Sequence, residues 1–145
     1  MTPRRSLLGA FAAIGLMATL GGCATSGPTY TEAAGTLPAL APGNARVFMY
    51  RTAILGAAVQ PAVKVNGEAV GAAVPLGFFY VDRPAGDYKI STSTEVERVL
   101  SLTLEPGQVR YVRLEISMGF FIGHVYPVLV DPAEGLKDIA SCHKT

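Results

Sequence analysis

Few residues of this chain have the type and spacing for chemistry. His124, Cys142 and His143 are the nitrogen and sulfur ligands within the globular part, but Cys142 and His143 are adjacent. Neighbours in an extended segment point to opposite sides, so the three lack the spacing of a familiar zinc site. His124 shares a strand face with Tyr126, Val128 and Val130 and reads as a structural histidine. Glu95 and Glu97 share a face, as paired glycosidase carboxyls would, but Ser91-Thr92-Ser93-Thr94-Glu95-Val96-Glu97-Arg98 reads as a solvated hairpin end. Asp82-Arg83 reads as a surface pair. No serine occupies a Gly-x-Ser-x-Gly elbow, and no glycine-rich loop precedes a helix to cradle phosphate. The expectation is no catalytic residue, no metal and no cofactor. If Cys23 is acylated, Cys142 is the remaining thiol in an oxidising compartment, where it is either buried or pairs between molecules.

The elements around these residues begin with an address. Arg4 and Arg5 precede an uncharged apolar stretch, Leu7 to Leu20, which falls short of the about 20 residues of a spanning helix. A basic start and a short apolar core read as a signal peptide over residues 1–22. The stretch ends in Leu20-Gly21-Gly22-Cys23, which resembles a bacterial lipobox. The resemblance implies cleavage between Gly22 and Cys23 and attachment of diacylglycerol to the Cys23 thiol. The Arg4-Arg5-Ser6-Leu7-Leu8 run also resembles a twin-arginine export signal. Two or more acyl chains hold a protein stably on a membrane without spanning it. Ala24 follows the cysteine where Asp would favour inner-membrane retention, so the expected location is the outer membrane, facing the periplasm, with the inner membrane as the alternative.

Residues 23–43 are mostly Ala, Thr, Gly, Pro and Ser with Glu32 the sole charge, and are expected to form a flexible tether, the alternative being that Leu37-Pro38-Ala39-Leu40 lies against the domain as its first ordered piece. Residues 44–145 then read as one β-domain. Val47-Phe48-Met49-Tyr50 is continuously apolar, as in a strand buried on both faces. Asn66-Gly67 after Val65 signals a type I′ hairpin, and Glu105-Pro106-Gly107-Gln108 a type II turn. Alternating segments at Tyr88–Ser93, Leu100–Glu105 and Tyr111–Ile116 indicate sheets with one face on a core and the other in water. The expected fold is all-β: a single β-sandwich, immunoglobulin- or transthyretin-like, of about seven strands. Asp131-Pro132-Ala133-Glu134 opens a short C-terminal helical turn reaching about Ile139, kept short by Gly135.

Ala45–Arg51, Val65-Asn66-Gly67-Glu68, Gly77-Phe78-Phe79, Pro84-Ala85-Gly86-Asp87-Tyr88 and Glu105-Pro106-Gly107-Gln108 follow in an order similar to the small bacterial lipoproteins grouped as domain of unknown function 2846. The Pro-Ala-Gly-Asp-Tyr and Pro-Gly-Gln pieces also resemble PEGA-type surface β-domains. The resemblance implies an envelope lipoprotein with a β-sandwich and supplies no catalytic residue. With 12 basic and 11 acidic side chains the net charge is +1, which excludes a strongly basic nucleic-acid binder. The expected partners are the membrane, through lipidated Cys23, and an envelope protein meeting a sheet edge or an aromatic surface including Phe78, Tyr80, Phe120, Phe121 and Tyr126. The alternative is an envelope glycan or other small ligand stacked on Tyr80, Tyr111 and Tyr126.

Overall fold

The computed structural model describes residues 27–120 and 123–145. The expected leader 1–22, the Gly22–Cys23 cleavage and lipidation site, the first residues of the expected tether and Phe121 lie outside the described residues.

The described chain is a sandwich of two sheets. Its elements are α1 (Tyr30–Ala33), a 3-10 turn (Ala34–Thr36), β1 (Asn44–Tyr50), β2 (Ala62–Val65), β3 (Glu68–Ala72), β4 (Gly77–Pro84), β5 (Gly86–Ser93), β6 (Glu97–Leu104), β7 (Val109–Ser117), β8 (His124–Val130), α2 (Pro132–Ile139) and β9 (His143–Lys144). One sheet has the order β8-β7-β1-β4-β9 and the other β3-β2-β5-β6. Asn66 and Gly67 take positive φ, 49° and 85°, and turn β2 into β3 as a type I′ hairpin requires. Gly107, at φ 77°, occupies the third position of the Glu105–Gln108 turn, which Gln108 N–H closes onto the Glu105 carbonyl at 3.1 Å. Strands β4 and β5 are consecutive but belong to different sheets, so the Pro84–Gly86 corner carries the chain across the sandwich.

The sheets enclose one core, with Val47 and Met49 of β1, Val63 of β2, Ile90 of β5, Val112 and Leu114 of β7 and Val125 of β8. A second core covers the outer face of the five-stranded sheet, where Phe48, Tyr50, Phe78 and Tyr111 lie beneath Ala33, Ile139 and Cys142. Central β1 feeds both cores, so its continuous apolar run is buried on both sides.

The expected β-sandwich of about seven strands is the fold observed, with nine strands among the described residues, counting the two-residue β9. One expectation needs correction. The expected tether, 23–43, is packed from residue 27 onward. Thr29 caps α1 in a reciprocal capping box with Glu32, Tyr30 N–H donates to the Cys142 carbonyl at 2.8 Å, and Ala33 is buried. Small residues there permit close approach to the sheet, which composition alone cannot distinguish from flexibility. α2 runs from Pro132 to Ile139, as expected; a Cβ on Gly135 would collide with Tyr111, so the glycine lets the helix lie directly on the ring.

Candidate functional site

The strand register puts Tyr80, Tyr111 and Tyr126 on one face of the five-stranded sheet. Phe48 pairs with both Tyr80 and Tyr111, and Tyr126 is opposite Glu115 on the strand that carries Tyr111. They do not form an open platform. Tyr111 is 6% exposed, stacked on Phe48 with centroids 5.4 Å apart and covered by α2. Tyr30 closes the same cluster edge-on to Phe48 and Phe78, at 5.3 and 5.5 Å. Burial pushes the Tyr111 phenol well above its ordinary range, aided by its contact with Tyr30. Tyr80 is half-buried beneath the Arg46 guanidinium, 4.5 Å from the ring centroid. Tyr126 is half-buried, lining an open depression of about 280 Å³ with Arg98 and Ser117. Phe78 is fully buried, whereas Phe120 is exposed.

Two arginines organise this face. Arg46 forms a bidentate pair with Asp82, both contacts at 2.7 Å, and donates to the Pro38 carbonyl at 2.9 Å. Asp82 and Arg83 therefore do not make the expected surface pair; Arg83 reaches Glu68 instead, at 3.4 Å. Arg113 draws three carboxylates together: Glu134 at 2.6 Å, Asp138 at 2.8 Å and Glu115 at 2.8 Å. Those hydrogen bonds, led by Glu134 and Glu115, raise the Arg113 pKa. Tyr50 donates to Asp138 at 3.1 Å and Tyr126 to Glu115 at 3.0 Å. The Tyr50 phenol is raised first by burial and then by Asp138, and that of Tyr126 first by its bond to Glu115. The cluster holds α2 onto β7 and β1, with its carboxylates all engaged by one cation. Among the described residues, no group of three or more His, Cys, Asp or Glu side chains is arranged to hold a metal ion.

The remaining candidates are spread apart. His124 accepts or donates through Nδ1 to Thr94 Oγ1 at 3.0 Å, and its Nε2 faces Glu95 at 3.3 Å. The hairpin tip read as solvated is thus tied to β8. Nearby, Thr92 Oγ1 donates to the Val125 carbonyl at 2.6 Å. Cys142 is buried and free, and burial pushes its thiol up to about 11, with a further contribution from Asp138. Its enclosure within one chain opposes the intermolecular disulfide. His143 turns the other way, donating from Nδ1 to the Gly27 carbonyl at 2.9 Å.

Sequence reasoning passed over Arg51. It is fully buried, and its five N–H donors meet five carbonyl oxygens, those of Ala53, Leu55, Gly56, Val59 and Ala73, at 2.6 to 3.1 Å. Desolvation lowers its pKa. Backbone carbonyls carry no residue signature; the faint sequence signal is an arginine directly after the apolar Val47–Tyr50 run.

The family described as Protein of unknown function (DUF2846) matches residues 41–126, from the approach to β1 into β8. The chain belongs to this family. An uncharacterized protein of Haemophilus influenzae is 29% identical over 131 residues, covering 88% of this chain and 78% of its own length. No solved structure matches the chain. The DUF2846 match spans both sheets up to Tyr126 and leaves outside it α1, α2 and β9, the elements that cover the aromatic face.

Proposed function

We propose that this DUF2846 protein is a membrane-anchored bacterial envelope lipoprotein whose sandwich serves as a non-catalytic interaction or structural module in the periplasm. The observation that carries the reading is the order of its amino-terminal residues. Arg4-Arg5, the apolar Leu7–Leu20 stretch and Leu20-Gly21-Gly22-Cys23 stand in succession, and the packed domain begins only four residues after Cys23. Ala24 supports the outer membrane as the site of anchoring, and the partner is an envelope protein. The non-catalytic part is supported by the saturation of the polar face, where arginines, carboxylates and phenols satisfy one another. The burial of Tyr111 weighs against a glycan platform built on Tyr80, Tyr111 and Tyr126.

The test compares the native chain with Cys23→Ser in intact cells. Mass spectrometry of the amino-terminal peptide is expected to find diacylglycerol on Cys23 and no residue before it. The native protein fractionates with membranes and crosslinks a defined envelope protein, while Cys23→Ser does neither. A soluble native protein with an unmodified Cys23 overturns the reading.

A further inference from the structure

The strands of the five-stranded sheet run so that two loops leave from the same end. β1 ends at Tyr50 and β7, parallel to it, ends at Ser117. The first loop begins at Arg51, and the second joins β7 to β8. Both pack on Ile116 of β7: a Cβ on Gly56 of the first loop would collide with Ile116 Cδ1, and a Cβ on Gly123 of the second would lie 2.9 Å from the same atom. Neither Thr52–Pro61 nor Met118–Gly123 contains a charged residue. Val59 turns inward onto the core, but Ile54 at 63%, Leu55 at 64%, Met118 at 80% and Phe120 at 91% exposure project into solvent. Scattered single apolar residues need no explanation, but these are gathered at one end. Arg51 holds the first loop in place from within, binding the Ala53, Leu55 and Gly56 carbonyls while Ile54 and Leu55 face outward.

The start of the packed chain lies at this end too. Gly27 is bonded to His143, whose residue pairs with Gly77, the first residue of β4, opposite the end of β1. Gly27 is four residue steps from Cys23, a reach of about 14 Å at full extension. A lipid on Cys23 therefore brings the bilayer surface to the end that presents the apolar loops. The neighbouring hairpin tip carries Glu95, which faces His124.

We propose that Ile54, Leu55, Met118 and Phe120 form a membrane-docking surface that dips into the interface of the bilayer holding the Cys23 anchor. Such insertion carries apolar side chains about 5–10 Å into the boundary between headgroups and acyl chains. The inference rests on the lipoprotein reading above, and the test separates the two. The full chain, matured in cells, is reconstituted in vesicles of phosphatidylethanolamine and phosphatidylglycerol after labelling at Leu55→Cys, or at Glu105→Cys on the opposite end, with an environment-sensitive fluorophore. Buried Cys142 remains unlabelled in the parent chain. The expected result is a blue-shifted Leu55 probe, quenched by spin-labelled lipid and several-fold less accessible to an aqueous quencher than the Glu105 probe. A Met118→Ser and Ile54→Ser background restores the accessibility of the Leu55 probe. If the chain carries no lipid and leaves the vesicles, the lipoprotein reading fails. If it is lipidated and bound but both probes stay equally wet, docking alone is overturned. Crosslinking between copies through Leu55→Cys without lipid quenching would mark an interface between copies and overturns docking equally.

Discussion

Arg51 holds its loop by an unusual exchange at the residue scale. A cation is taken out of water and rehydrated by five backbone carbonyls, which in turn fixes a loop rich in small residues. Arg51→Met keeps an apolar stem but strands those acceptors. It should cost about 3 kcal/mol or more, read from the urea midpoint of the purified chain. A loss under about 1 kcal/mol would mean that the loop holds itself. Cys142 gives a second prediction, with a sign set by its raised thiol pKa. The unfolded thiol, near 8.5 in model peptides, gives up its proton first, so stability is intact below that pH and falls as pH rises toward about 11. The raised phenols of Tyr50 and Tyr111 add to the loss at higher pH. Cys142→Ala should reduce the slope between pH 9 and 10 by up to about 1.4 kcal/mol per pH unit. An unchanged slope in alkaline urea titrations would reject the assignment. The burial of Cys142 was legible as one of two alternatives, whereas the role of Arg51 was not, because its partners are backbone carbonyls, which carry no residue signature.

Elements were legible where their signals are local. Asn66-Gly67 and Pro106-Gly107 dictate backbone angles within two residues, and period-two alternation follows from the pleat. Pairing was not legible, since the parallel β1–β7 contact and the β4–β5 crossing depend on the whole chain. The amino-terminal segment was misread for the same reason, as Tyr30 gains its worth only against Phe48, Phe78 and Tyr111. Gly135 makes the conflict between local and tertiary rules measurable. On an exposed helix Gly→Ala would stabilise by about 1 kcal/mol. Here the added methyl meets Tyr111, so Gly135→Ala should destabilise by about 1–3 kcal/mol and loosen α2. Thermal unfolding decides it: a rise in Tm would show that α2 can shift without cost.

At the scale of the whole molecule, the two ends of the described chain hold each other. Thr29 bridges His143, Lys144 N–H donates to the Pro28 carbonyl at 2.9 Å, and Thr145 N–H to the Phe78 carbonyl at 3.0 Å. With Cys23 lipidated as proposed, this clasp shortens the link between anchor and domain to the four residues before Gly27. Were residues 23–43 free, their end-to-end distance would be about 25 Å and the domain would tumble on its leash. Deleting His143–Thr145 removes the clasp while leaving Cys142 and both main sheets' central strands in place. Each amide hydrogen bond contributes about 1 kcal/mol, so the chain should remain folded, with a modest fall in stability. The amides of Tyr30 and Ala33 should lose their hydrogen-exchange protection together, as one local unit. Their protection in the intact chain would then be traceable to β9. If Cys23 is lipidated as proposed, the truncated chain should also show a Leu55 probe that is wetter on vesicles than in the intact chain, because the anchor no longer dictates which end faces the bilayer. A Leu55 probe equally buried in both chains would assign the orientation to the apolar loops themselves, with the clasp serving stability only.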